Sequence, residues 1–225
     1  MSTPEFAFLQ MGGLLTLHQL VLVGNRLCAE YRVREDGMVL PCEPSTTVER
    51  LKRFAESAGG CYGAKKVKRA LRFVAGRARS PMEAKTAVLT ALPVSAGGWG
   101  FGVPELNYRI EASELDSRTL DRESRKYFEI DLYWKRKEVG LEYDGADHVD
   151  PARVRADKRR INCLTANGKT ILTVMYDQIA DEGIRETLMW QLAKVLGVTV
   201  GKLSEEESEA RNALMGDVFG SDFEL

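Results

Sequence analysis

Two runs of strict alternation, Tyr127–Trp134 and Glu138–Asp144, are separated only by Lys135-Arg136-Lys137 and constrain this chain more than any other feature. Successive strand residues point to opposite faces. The first run sets Ile130, Leu132 and Trp134 against Glu129, Asp131 and Tyr133; the second sets Val139, Leu141 and Tyr143 against Gly140, Glu142 and Asp144. A three-residue polar break suits a hairpin. With the turn centred between Arg136 and Lys137, Asp131 falls opposite Glu142 on one face, and Asp144 lies one step along. Facing carboxylates repel each other. A divalent cation would offset the repulsion, polarise a phosphodiester, activate water and stabilise charge developing on the phosphate oxygens. The alternative is a solvated face that Lys135, Arg136 or Lys137 neutralises without a metal.

The rest of the sequence narrows the choice of metal. Cys28, Cys42, Cys61 and Cys163 form no Cys-x-x-Cys pair, and His18 and His148 are the only histidines. The cysteine spacing argues against a zinc cluster, two histidines exclude a His-rich centre, and oxygen donors suit magnesium or manganese. His148 follows the acidic strand within Gly145-Ala146-Asp147-His148. A loop histidine is either a plain surface residue or, beside carboxylates, a group that positions or deprotonates water. Asp157 falls on the inward stripe of a helix expected over 153–167, where Arg160 or Arg159 would partner it in a structural role.

Upstream, Thr3 and Pro4 read as a helix start, and Thr46-Thr47-Val48-Glu49 as a capping box opening a helix that Gly59-Gly60 stops. A basic helix is expected over 64–74, carrying Lys65, Lys66, Lys68, Arg69 and Arg72, with Val67, Leu71 and Val74 beneath. It reads equally as a phosphate-facing surface or as a solvated helix face. Ser80-Pro81-Met82-Glu83 opens another helix, with Glu83, Thr86 and Thr90 as its polar stripe. The segment Gly97-Gly98-Trp99-Gly100-Phe101-Gly102 lacks the ending of a phosphate loop and is expected to be a flexible connector to a strand over 106–110. Residues 112–126 read as an exposed excursion and 170–176 as a buried strand. Ile184, Leu188, Leu192, Val195 and Leu196 mark a last amphipathic helix.

Charge is unevenly spread. Residues 203–225 hold seven acids and one base, which leaves the preceding body at a net +5. A mildly basic body is compatible with phosphate binding. The acidic segment reads as a solubilising tail, a short helix, or a stretch that folds over the body and competes with nucleic acid. No apolar run is long enough to cross a bilayer and no secretory signal opens the chain, so a cytoplasmic location and no membrane partner are expected.

Five motifs taken in order resemble a known family: Ser80-Pro81-Met82-Glu83, Phe128 to Trp134, Val139 to His148, Asp157-Lys158-Arg159-Arg160, and Thr170 to Gln178. From about Ser80 to Asp181 the chain resembles the endonuclease-domain family related to very-short-patch-repair endonucleases, in the PD-(D/E)XK superfamily. The resemblance implies an α/β fold with a restriction-endonuclease-like core, an α-β-β-β-α-β mixed sheet flanked by helices, preceded by an N-terminal helical unit. It divides the chain into a helical region over 1–79, the core with its C-terminal helix over 80–202, and the acidic tail over 203–225. It further implies a nuclease using Mg2+ or Mn2+ on DNA, with RNA not excluded, in phage defence or repair. Asp131 and Glu142 would hold the metal, with Glu83 and Asp144 contributing. Asp144 stands where the family pattern has lysine, and relatives of the repair type that lack this lysine use histidine, which points to His148. Lys158, Arg159 and Arg160, with the 64–74 helix, would contact phosphates. Cutting both strands would favour a homodimer. The missing lysine equally suits an inactive relative that binds nucleic acid or a protein of a defence system.

Overall fold

Helical and strand periodicities alternate along this chain, and the result is an α/β protein. The computed structural model describes residues 2–120, 126–144, 151–175, 179 and 181–220, with the side chains of 144 and 151–154 left out. In chain order the elements are α1 (Pro4–Met11), α2 (Leu17–Leu27), β1 (Tyr31–Val33), β2 (Val39–Pro41), α3 (Val48–Ser57), α4 (Ala64–Ala70) and α5 (Pro81–Ala91). Then follow β3 (Glu105–Glu111), β4 (Tyr127–Trp134), β5 (Val139–Asp144), α6 (Pro151–Ala166), β6 (Thr170–Met175), α7 (Glu182–Leu196) and α8 (Glu205–Phe219). They form two compact units, Met1–Pro104 with Gly201–Leu225, and Glu105–Val200. Among the described residues no helix is long and apolar enough to cross a membrane.

In the first unit α1 to α5 pack together beside the β1–β2 ribbon. The hydroxyls of Thr3, Thr16 and Ser80 cap α1, α2 and α5, as the sequence indicates for Thr3 and Ser80. The cap of α3 is Thr47, one residue later than the expected box at Thr46. Thr46 is buried and donates to Glu5 Oε1 at 2.6 Å. The buried Glu5 carboxylate needs that donor. Helix α4 ends at Ala70, short of the expected Val74. Beyond it the Ala75 and Gly76 amides donate to the Oδ1 of Asn25, which is wholly buried and itself donates to the Ala84 carbonyl.

Two expectations for this unit are corrected. The polar stripe of α5 is buried: Glu83, Thr86 and Thr90 all lie inside, and the Thr90 hydroxyl turns back to the Thr86 carbonyl. The glycine segment after α5 is held firmly, not a flexible connector. A Cβ on Gly98 would sit 2.0 Å from the Leu92 carbonyl oxygen, and one on Gly97 2.2 Å from that of Ala210. The Arg211 guanidinium donates to the Gly97 carbonyl and, at 2.8 Å, to the Gly98 carbonyl, and lies over the Trp99 ring.

Arg211 belongs to the acidic segment, of which Glu205–Phe219 form helix α8, capped reciprocally by Ser204 and Glu207. Leu214 and Val218 are fully buried, and Asp217 accepts from the Thr16 hydroxyl and meets His18 Nδ1, each at 2.8 Å. The segment therefore closes the first unit. The units divide at 104/105 and 200/201, whereas the sequence division falls at 79/80 and 202/203.

The second unit is built on a four-stranded sheet of order β3-β4-β5-β6. β3, β4 and β5 run antiparallel in turn, and β6 returns parallel to β5 after the α6 crossover. From α5 onward the element order is α-β-β-β-α-β. Ile110, Phe128, Ile130 and Tyr133 from the sheet join Cys163 and Leu164 of α6 in the unit's core. Gly140 is required, because a Cβ there would lie 2.6 Å from Ile130 Cγ2 and 2.8 Å from Ile171 Cδ1. β6, expected as a buried strand, is an edge strand with only Val174 buried. On α7 Leu188, Leu192 and Leu196 are buried as expected, and the buried face extends to Arg185, Met189 and Ala193, while Ile184 and Val195 are exposed.

Candidate functional site

The β4–β5 hairpin takes the register that its turn dictates. Leu132 pairs with Leu141, Tyr133 with Gly140 and Trp134 with Val139. Continued one step, this register sets Asp131 opposite Glu142, and the Asp131 carboxylate accepts the Tyr143 amide at 2.8 Å. The turn is a single 3-10 step over Lys135–Lys137, closed by Glu138 in the left-handed region at φ 54°. Glu138 is anchored by Lys169 at 2.5 Å and by the Tyr133 hydroxyl. Although burial opposes it, these donors hold the Glu138 carboxyl below the usual range. Burial, and then the bond to Glu138, push the Tyr133 phenol far up.

The face of β5 that carries Glu142 is not the solvated one that alternation alone would allow. Tyr133, which packs with Ile130 in the core against α6, is 1% exposed and stacks on Tyr108 of β3 at 4.9 Å between ring centres. Glu142 is 7% exposed. Arg160 of α6 reaches it with both terminal nitrogens, Nη1 to Oε1 at 2.5 Å and Nη2 to Oε2 at 2.6 Å. This two-pronged contact is the geometry in which a guanidinium binds a carboxylate most strongly. Hydrogen bonding to Glu142, then the charges of Asp157 and Asp131, raise the Arg160 pKa. The sequence offers Lys135, Arg136 or Lys137 as counter-charges for this face. The residue that supplies the charge is Arg160, which is thereby drawn to a carboxylate and away from a phosphate.

Two neighbouring residues also differ from expectation. Asp157 is on the exposed side of α6, its side chain 59% accessible, and meets Arg160 Nε only at 3.8 Å. It is not the buried carboxylate that its place between Val154 and Ile161 indicates. Across from Asp131 on the other side, the β3–β4 ladder is continuous except at Asn107. Asn107 is 3% exposed and has a left-handed backbone at φ 49°. Asparagine tolerates that region better than most residues. Only the three-dimensional register shows it flanking Asp131; the one available sequence hint is a buried-strand position occupied by a polar turn former.

The remaining site residues are placed as follows. Glu83 belongs to the first unit, where its carboxylate accepts the Arg79 amide at 2.9 Å and the Ser80 hydroxyl at 2.8 Å, closing the start of α5. Asp144 ends β5, with its side chain outside the described residues, and His148 lies outside them altogether. Lys158 and Arg159 are exposed on α6. Lys65, Lys68, Arg69 and Arg72 are exposed over the buried Val67, Ala70, Leu71 and Val74, and the Lys66 amine is tied to the Leu15 carbonyl at 2.8 Å.

Among the described residues no group of three or more His, Cys, Asp or Glu side chains converges as a metal site. The donors that are present suit a hard divalent cation in kind. Asp131 and Glu142 are carboxylates on adjacent strands, and each carboxylate oxygen carries a second lone pair besides the one that accepts a hydrogen bond. The charge of Arg160 already offsets that of Glu142, so a cation here would share or replace its role. No family model, curated protein or solved structure matches this chain.

Proposed function

We propose that this chain is a metal-dependent nuclease with a restriction-endonuclease-like core, hydrolysing phosphodiester bonds in DNA within the cytoplasm, in phage defence or repair. One observation carries the reading: one step beyond the Leu132–Leu141 pair of the β4–β5 hairpin, the Asp131 carboxylate accepts the Tyr143 amide and so stands beside the buried Glu142. Asp131 and Glu142 would hold Mg2+ or Mn2+, with Asp144 and His148 as further contributors. When bound, the ion supplies Lewis-acid polarisation of the phosphate and lowers the pKa of a water. The protein's own part is positioning. The Tyr143 amide fixes the Asp131 carboxylate, and Arg160 fixes that of Glu142. Lys158 and Arg159 lie on the same helix as Arg160 and would meet the phosphate backbone.

The direct test is cleavage of plasmid and single-stranded DNA with Mg2+ or Mn2+. Nicking that is lost in Asp131→Ala, with the fold intact, supports the proposal; equal nicking by both proteins contradicts it.

The Arg160–Glu142 contact favours a second reading. A resident guanidinium on the second-strand carboxylate, together with aspartate where the family pattern has lysine, suits an inactive nuclease-fold protein that binds nucleic acid or a defence-system partner. Such a protein would bind DNA yet show no metal-dependent nicking with either ion.

A further inference from the structure

The first unit carries a concentration of positive charge that the carboxylate site leaves unexplained. Between Thr47 and Ser80 stand ten basic residues and two acids, Glu49 and Glu56. Some of these cations are engaged within the unit: Arg50 pairs with Glu5, and Arg77 and Arg79 both pair with Glu30. Lys52 and Arg53 of α3, and Lys65, Lys68, Arg69 and Arg72 of α4 and its end, are exposed. Among the described residues no carboxylate pairs with any of these six. α3 and α4 pack on each other, and Lys65, Lys68 and Arg69 follow the i, i+3, i+4 spacing of one helix face, with Arg72 just beyond the helix end. The stripe is opposite the buried row Val67, Ala70, Leu71 and Val74.

Beside this stripe stand two large apolar side chains that solvent alone does not account for. Tyr62, two residues before α4, is 88% exposed, and Leu14 is 84% exposed. Local packing sets them there. A Cβ on Gly63 would meet the Gly12 carbonyl carbon at 2.5 Å, so the end of α1 and the start of α4 touch backbone to backbone. A Cβ on Gly13 would fall 2.6 Å from the Tyr62 ring, so that ring rests against the Gly13 backbone and opens outward. An exposed aromatic ring at the head of a row of uncompensated cations has the two parts of a single-strand binding surface: a face on which a base stacks and charges that follow the backbone. Duplex bases are already stacked and would leave the ring unused.

We propose that Tyr62 and the α3–α4 cations form a docking surface for single-stranded DNA, with a base stacked on Tyr62 and phosphates along Lys65, Lys68 and Arg69. The proposal rests on nucleic acid being the partner, as proposed above, but not on Asp131 or Glu142. The test is fluorescence anisotropy of a labelled single-stranded oligonucleotide with the full chain in EDTA, which silences metal-dependent cleavage. Tyr62→Ala is expected to weaken binding roughly 5- to 150-fold with the salt dependence unchanged, and Tyr62→Phe to bind like the wild type. Lys68→Gln with Arg69→Gln should reduce the slope of log affinity against log salt by about 0.7 for each phosphate that is no longer neutralised. Binding is read in EDTA and cleavage in Mg2+ or Mn2+, so absence of nicking by the wild type would remove the nuclease reading while leaving this one standing. Wild-type affinity in Tyr62→Ala, a preference for duplex, a preference for single-stranded RNA, or no binding at low salt would each overturn the proposal.

Discussion

Replacing Arg160 by methionine tests the electrostatic core of the candidate site. Arg160→Met keeps an unbranched apolar stem but removes two charge-assisted hydrogen bonds, at 2.5 and 2.6 Å, from a carboxylate only 7% exposed. Removing one partner of a buried pair costs about 3–5 kcal/mol. The Arg160 side chain is 25% accessible, so water can partly re-solvate Glu142 and the cost falls to about 2–3 kcal/mol. For a chain of this length each kcal/mol moves the melting temperature by roughly 2–4 °C, which predicts a decrease of about 4–12 °C. Urea denaturation of the wild type, Arg160→Met, Glu142→Gln and the double variant gives the coupling free energy. The double variant should be more stable than the sum of the two single effects implies, by about 1–2 kcal/mol. Mn2+ should then stabilise Arg160→Met by about 2.7 kcal/mol at a hundredfold excess over its Kd, and the wild type by less at the same concentration, since the unpaired carboxylate becomes available to the ion. A melting temperature within about 1 °C of the wild type, or strictly additive effects, would refute the reasoning.

Three further outcomes are expected. Asn107→Ala should be less stable than Asn107→Gly by roughly 1 kcal/mol in urea, because φ 49° strains alanine and not glycine; the reverse order would show that the side chain, not the backbone, decides. The Thr46 hydrogen bond, followed by the charge of Arg50, holds the Glu5 carboxyl below its usual range. With the folded pKa depressed, Glu5 contributes stability above the unfolded value of about 4.3 and loses it as pH falls through the lower folded value. Glu5→Gln should flatten that acid limb in melts taken across this range. Ending the chain at Lys202 removes Leu214 and Val218, both fully buried, and should destabilise the first unit by about 3–5 kcal/mol, with increased binding of an apolar dye.

The sequence discloses those features in which local chemistry and tertiary demand coincide. The Lys135–Lys137 break leaves little freedom in how two alternating strands pair, so the register of Leu132, Tyr133 and Trp134 against Leu141, Gly140 and Val139 can be read directly. Ser80 caps α5 because no competing partner draws its hydroxyl away from the helix start. The sequence points to Thr46 as the cap of α3, but the buried Glu5, forty-one residues away in sequence, claims that hydroxyl and Thr47 caps the helix instead. Arg160 shows the same limit more sharply. Its spacing points to Asp157, three residues back, whereas its strong contact is with Glu142, eighteen residues back and on another element.

Composition alone also misleads in two places. The acidic segment has the charge of a solvated tail, yet its one arginine and two apolar side chains are what fasten it to the first unit. The β-branched run of β6 suits a central strand as well as an edge strand, and only the sheet order decides.

The measurement that bears most directly on the central claim is a calorimetric titration of Mn2+ into the intact chain, beside Asp131→Asn and Glu142→Gln. A metal-holding pair predicts a binding event in the wild type that is abolished or weakened at least tenfold in both variants, about 1.4 kcal/mol or more. No binding in the wild type, or binding that both variants retain unchanged, would contradict the assignment of Asp131 and Glu142 to that role.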